Sequence, residues 1–368
     1  MSPPKSTLWP IDPHTRGKHQ VLRNYLNAWL PIMATRNGRI LFIDGFSGPG
    51  QYEGGEDGSP LIAMKALCDH SAKGHFRAKI VFLFVDDDPR RTAHLNTVAE
   101  PLKKELGERA EVHIETGPFD ETVGGLAQEL ASAGEQLAPA FVMVDPFGVS
   151  DTPMSVIGRI LKHAQSEVFI TFMWDFINRL HSTEEYPPHL DALFGTPSWR
   201  EAVKIVDWNE RKRAVFSLYK EQLKLHGAEY VVHFDLYEGA KDRLVYAIFH
   251  ATKHPKGCDR MKQAIWAVAP FDGMAFRPGT GRMIDLFSAD RSELMQQLRQ
   301  RFGDTQWHDV DELEEWTMTD ATVYHSGHLR SALVELEKAS RLEARAATWR
   351  KRRGLTYPSG TQVRFSAA

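Results

Sequence analysis

The segment Phe42-Ile43-Asp44-Gly45-Phe46-Ser47-Gly48-Pro49-Gly50 runs from apolar residues through an acid into a glycine cluster. Glycine at a strand-to-helix turn lets the backbone approach a ligand without a Cβ clash. The spacing is Asp-Gly-x-x-Gly-x-Gly, so the Gly-x-Gly-x-x-Gly phosphate fingerprint of a dinucleotide site is imperfect. That suits a nucleoside ligand with no pyrophosphate, such as S-adenosylmethionine. Gly45, Phe46, Gly48 and Gly50 would surround it, with Asp44 near its amino group. A plain strand-to-helix turn would use the same residues, and the loop alone weighs the two readings evenly.

Other acids end other apolar runs. Asp86-Asp87-Asp88 closes the second. An acid there accepts hydrogen bonds from ribose hydroxyls, with Asp86 the first choice and Asp87 the second. Asp88-Pro89 reads as a helix cap. Gly117-Pro118-Phe119-Asp120 would bring an aromatic or an acid to an adenine ring, or Asp120 would cap a helix. The fourth run ends in Val144-Asp145-Pro146-Phe147-Gly148. Asp145 and the Pro146 carbonyl can accept hydrogen bonds from an exocyclic amine and orient its lone pair toward a methyl donor. Phe147 can stack on a base, or simply be buried in a turn.

Asp175, Asn178 and Arg179 would line a substrate mouth or form a structural salt bridge. Lys18-His19 is a basic pair able to neutralise a cofactor carboxylate. The 16 histidines show no His-Glu-x-x-His spacing, so no metal site is expected. Neither a Gly-x-Ser-x-Gly elbow nor a P-loop occurs.

Strands positioning these residues are expected at Arg39–Asp44, Lys79–Asp86, Ala110–Ile114, Ala138–Asp145 and Glu167–Trp174. Helices alternate with them at Gly17–Trp29, Ser59–Asp69, Arg91–Leu106, Thr122–Ala133 and Met154–Ala164. Continuous apolar strands between amphipathic helices argue for an α/β fold with a parallel sheet covered on both faces. Residues from about 178 to 207 break the rhythm and read as an insertion or lid, before a helix at Glu210–Leu225. The link between strands Tyr230–Leu236 and Leu244–Ala251 is too short for a crossover helix, so they form an antiparallel hairpin. That ending suits a Rossmann-like, seven-stranded methyltransferase sheet better than a dinucleotide fold.

The domains expected are 1–287 for this sheet and 288–368 for a winged-helix-like module. The second would hold helices at Arg291–Phe302 and His325–Ala339 and a strand at Gln362–Phe365. Its basic stretch, Arg341, Arg345, Arg350, Lys351, Arg352 and Arg353 with Trp349 and Tyr357, would contact a phosphate backbone or form a solvated hairpin.

Composition is that of a globular protein: 368 residues, 42% hydrophobic, 25% charged. A net charge of −3 gives no global case for nucleic-acid binding. The only cysteines, Cys68 and Cys258, lie far apart, which fits a reducing cytoplasm. No run of apolar residues is long enough to span a membrane.

Several stretches together resemble one family. These are Lys18-His19-x-Val21-Leu22-Arg23-x-Tyr25-Leu26, the loop 42–50 with Tyr52, Gly58-Ser59-Pro60, and Val144–Gly148. They continue in Ala251-Thr252-Lys253-His254-Pro255-x-Gly257, Met261-Lys262 and Leu329-Arg330-x-Ala332-Leu333. The pattern is similar to that of the three-Cys-motif partner proteins (TcmP) over nearly the full length. The resemblance implies a Rossmann-type methyltransferase fold and a separate three-Cys-motif protein, an iron–sulfur protein, as partner. Asp145-Pro146-Phe147-Gly148 is also similar to the tetrad of transfer-RNA guanine N2-methyltransferases. It departs from the Asp/Asn-Pro-Pro-aromatic of adenine and cytosine amino methyltransferases. The activity implied is methylation of an amino group, of a nucleic acid. The alternative is a non-catalytic, nucleic-acid-binding partner subunit.

Overall fold

The computed structural model describes residues 6–181, 183, 185–239, 243–270, 273–278, 290–304, 306–346 and 352–366. The 287/288 boundary, residues 240–242 of the hairpin link, and Trp349, Arg350 and Lys351 lie outside the described residues.

Strands and helices alternate from the start. They are α1 (Pro13–Ala34), β1 (Arg39–Asp44), α2 (Ser59–Cys68), β2 (Lys79–Asp86), α3 (Pro89–Leu106), β3 (Ala110–Thr116), α4 (Phe119–Ser132), β4 (Ala140–Val144), α5 (Met154–Lys162) and β5 (Ser166–Phe172). Four helices follow, α6 (Trp174–Leu180), α7 (Pro187–Phe194), α8 (Trp199–Val203) and α9 (Trp208–Leu225). Then come β6 (Tyr230–Glu238), β7 (Arg243–Thr252), α10 (Pro255–Trp266) and β8 (Ala275–Phe276).

The sheet order is β3-β2-β1-β4-β5-β7-β6-β8. Strands β1 to β5 pair in parallel, and β7 runs antiparallel to both β5 and β6. The sheet has eight strands rather than the seven expected, because the two-residue β8 adds to β6. All residues of β4 and β5 are buried, which is why they read as unbroken apolar runs. The chain builds outward from β1 to β3, then returns to place β4 on the other side of β1. The reversal between β1 and β4 is the place where open α/β sheets bind ligands.

Some elements differ from the sequence reading. The fifth strand ends at Phe172, and the buried Trp174 starts a helix. Residues Phe119 and Asp120 lie in the first turn of α4, whose N-cap is Pro118, so Asp120 is not the cap. Helix α10 escapes an apolar-periodicity reading because buried Asp259 and Lys262 interrupt its inner face. Within the segment 178–207, α7 and α8 bury Leu190, Leu193, Phe194 and Trp199 against the sheet's core.

A second hydrophobic cluster follows. It is formed by α11 (Ser292–Phe302), β9 (His308–Asp309), α12 (Val310–Met318), α13 (Ser326–Lys338), β10 (Leu342–Arg345) and β11 (Gln362–Phe365). Its three strands form an antiparallel sheet of order β10-β11-β9. Helix α12 is acid-rich, which hid its buried face of Val310, Leu313 and Thr317. Helix α10 joins the clusters: Lys262 Nζ donates to the carbonyls of Thr317, Thr319 and Thr322 at 2.5, 2.7 and 3.2 Å. No described helix is long and apolar enough to cross a membrane.

Candidate functional site

Two adjoining cavities open at the carboxyl ends of β1, β2 and β4, with Phe46 and Phe147 in the walls of both. The first, about 160 Å³, is lined by Lys18, Gly48, Gly50, Asp145 and Pro146, among others. The second, about 370 Å³, is lined by Gly45, Asp86, Asp87, Phe119 and Asp120. The loop glycines, the strand-end acids Asp86, Asp87 and Asp145, and Lys18, Phe119 and Asp120 therefore meet here, whereas Asp44, His19, Asp175, Asn178 and Arg179 line neither cavity. The Asp44 carboxylate is fully buried beneath the loop.

The loop owes its shape to backbone bonds and to its own glycines. Gly45 N–H donates to Met143 O, and Ser47 N–H to Val85 O, at 2.9 and 2.8 Å. Gly48 and Gly50 have φ of +62° and +80°, a region that favours glycine. The room left by two missing side chains is filled from within. A Cβ at Gly45 would lie 2.3 Å from the Phe119 ring, and one at Gly50 would lie 2.5 Å from Leu95. Helix packing, not ligand approach, thus accounts for those two glycines.

The acids are already engaged. Asp86 accepts from Gly48 N–H at 2.9 Å and from Asp88 N–H at 3.0 Å, and lies 3.5 Å from the Arg91 guanidinium. Burial raises its pKa against these partners. Asp87 is exposed at the cavity edge. Asp88 caps α3, accepting from Arg90 N–H at 2.9 Å.

Lys18 Nζ forms an ion pair with Asp145, and only 5% of the lysine side chain is exposed. Burial pushes the Asp145 carboxyl up, but the Lys18 ammonium outweighs it and holds the group below its usual range. Burial drives the neighbouring His19 down to about 3, so that ring is neutral and supplies no charge. Asp44 is pushed up to about 7 by burial, opposed by Ser59 and the Phe46 N–H. Asp175 pairs with Arg179 at 2.9 Å, the structural salt bridge among the two readings of that segment.

Sequence reasoning missed the aromatic wall. Trp9 meets Phe147 edge-on at 5.6 Å and Tyr52 at 6.0 Å. The Arg91 guanidinium sits 5.2 Å from the Phe147 ring and 5.4 Å from Trp9. Tyr246, from the reversed strand β7, closes the first cavity above Lys18, whose Nζ is 5.3 Å from its ring. Trp9 precedes every periodic element, and Tyr246 sits in a buried, mostly apolar strand. Neither carried a signal.

The arrangement can hold a flat ring and a diol beside Asp86 and Asp87, and a polar tail near the loop. It is poorly suited to a pyrophosphate: α2 begins only at Ser59, well beyond Gly50, so no helix N-terminus directly continues the loop. Ser47 Oγ, which lines the first cavity, is buried without a hydrogen-bond partner among the described residues. It remains available to a ligand.

No protein-family model matches the chain, and no curated protein matches it. Solved structures do. A Legionella pneumophila protein, LPL1258, aligns at TM-score 0.42 and 10% identity, over 70% of this chain and 92% of that one. Trm1 from Pyrococcus horikoshii, solved with S-adenosyl-L-methionine, aligns at TM-score 0.40 and 10% identity, over 100% and 94%. A Bacillus cereus O-methyltransferase, solved with SAH, aligns at 0.33 and 14%, over 66% and 83%. Scores this low carry no functional argument, which must rest on the site itself.

Proposed function

We propose that this chain is an S-adenosylmethionine-dependent methyltransferase. The observation that carries the reading is the pair of cavities at the β1/β4 reversal, flanked by the strand-end acids Asp86 and Asp145. The cofactor supplies an electrophilic methyl group on a sulfonium. Asp86 and Asp87 would accept from its ribose hydroxyls, with Phe119 and Asp120 beside its base. Lys18, Ser47 and the loop would hold the amino-acid end, while Trp9, Tyr52 and Tyr246 exclude water. Asp145 and the Pro146 carbonyl would orient an acceptor amine. Calorimetry with S-adenosylmethionine and S-adenosylhomocysteine tests the first step. Absence of heat and of competition at millimolar ligand, with folded protein, would overturn it.

The residue pattern leads us to place the chain with the TcmP family, working with a three-Cys-motif protein. Its failure to co-purify with that protein when the two are co-expressed would remove this part. We also read the C-terminal helices and antiparallel sheet as a winged helix that meets nucleic acid. In support, Trp307 stands between the Arg345 and Arg364 guanidinium groups, at 4.2 and 4.8 Å. Part of its basic charge is spent internally, since Arg352 pairs with Glu337 and Arg364 with Glu343.

One observation favours a second reading, a non-catalytic partner subunit. Lys18 already occupies the carboxylate that an acceptor amine would need. Under that reading Asp145→Ala leaves biological activity intact while charge reversal at Arg350–Arg353 abolishes it. The enzyme reading requires Asp145→Ala to abolish methyl transfer.

A further inference from the structure

A larger cavity, of about 660 Å³, lies on the opposite edge of the sheet, at the amino end of β5 and the carboxyl end of β7. Its volume is in the range of small-molecule sites. The floor is aromatic, with Tyr25 and Trp29 from α1. At its base stands Glu167, whose side chain is only 10% exposed. Glu167 Oε2 accepts from Tyr25 Oη at 2.7 Å and pairs with His250 Nε2 at 3.0 Å. Its Oε1 makes no hydrogen bond among the described residues. The Trp29 Nε1–H is likewise buried without a partner.

The rim carries the opposite charge. Arg36, Lys162, Lys256 and Arg260 line the cavity and take part in no ion pair among the described residues. One acid, Glu229, also reaches the rim. The 12-residue α10 begins here at Pro255, so its N-terminal dipole adds to the positive field. Thr252, Lys253, His254 and Gly257, a sequence block unused by the proposed chemistry, build this wall. A Cβ at Gly257 would lie 2.8 Å from Thr252 Oγ1 and 3.2 Å from Glu167 Oε2, so the glycine makes room for the carboxylate.

We infer that this cavity is a second ligand site, for a nucleoside monophosphate. Each part of that ligand has a counterpart. A buried carboxylate with an unused oxygen accepts from ring N–H or exocyclic amine groups. The buried Trp29 Nε1–H, without a partner among the described residues, donates to a base carbonyl or ring nitrogen. The cations without ion-pair partners receive a phosphate, in the field of an α10 N-terminus whose first N–H groups already donate to His254. Neither inorganic phosphate nor a free nucleoside satisfies all three. The site is independent of the methyl-donor reading, sharing no residue with either cavity there.

The test is calorimetric titration of the full chain with each of the four common nucleoside 5′-monophosphates. Inorganic phosphate and the matching nucleosides serve as half-ligand probes. Saturable binding of at least one nucleotide is expected, with each half-ligand at least about tenfold weaker. Glu167→Gln and Lys256→Glu should each weaken it about tenfold or more, and Asp86→Ala should leave it unchanged. If Glu167→Gln fails to fold, the Lys256→Glu result decides. The inference is overturned by no saturable binding, by phosphate binding as tightly as the nucleotide, or by loss in Asp86→Ala with retention in Lys256→Glu.

Discussion

The two edges of the sheet hold charge in opposite ways. At the carboxyl ends of β1, β2 and β4 the acids have partners inside the chain: Lys18 for Asp145, and two backbone N–H groups and Arg91 for Asp86. At the amino end of β5, five cationic side chains, Arg36, Lys162, Lys253, Lys256 and Arg260, line a cavity and take part in no ion pair among the described residues. The first edge is shaped before any ligand arrives. The second holds more cations than acids, with only Glu167 and Glu229 among its lining residues. A buried pair is costly to break, whereas an exposed unpaired cation contributes little to folding.

The comparison breaks most directly at Lys18. Replacing it with methionine strands the Asp145 carboxylate and should cost about 3 kcal/mol in urea unfolding, with Asp145→Leu in the same chain recovering much of it. An unchanged unfolding midpoint in Lys18→Met would show that the pair contributes nothing. The next effect belongs to Asp86. Its alanine variant leaves two backbone N–H groups without their acceptor and should cost about 2 kcal/mol. The exposed neighbour Asp87→Ala should stay within about 0.5 kcal/mol of the parent. Equal losses at both positions would mean that Asp86 does not hold the loop.

Asp44 sharpens the same edge through pH. Its carboxyl sits at about 7 in the folded chain, against an ordinary 3.8. The folded chain therefore keeps a proton that the unfolded chain has released. That contribution to stability should fall as pH rises from about 4 to about 7, and level off beyond. Asp44→Asn should flatten this decline, as read from unfolding free energies across the range. An undiminished slope in the variant would assign it to other groups. The smallest effect is expected at the opposite edge. Lys256→Met should change stability by less than about 0.5 kcal/mol, because no internal partner is lost.

Three strand ends are legible because the apolar run stops at an acid: Asp44, Asp86 and Asp145. The reach of those acids is not. The sequence puts Asp44 beside a ligand amine, yet it lies buried under the loop, because the backbone turns above it at Gly45. Gly45 and Gly50 read as openings for a ligand, yet Phe119 and Leu95 fill that space. Helices α10 and α12 were missed for one reason. Buried Asp259 and Lys262, and the dense acids of α12, obscure the apolar period that a sequence reading depends on.

By itself the sequence determined the alternation of buried strands and amphipathic helices, the antiparallel closing hairpin, and the acids at the strand ends. Those features are local: periodicity and turn residues act within a few positions along the chain. Tertiary structure alone decided that Lys18 meets Asp145, 127 residues away, and that Trp9 and Tyr246 wall the same cavity. It also decided that Glu167 and five cations line a second cavity on the far edge. Strand order sets those meetings, and no local pattern records it.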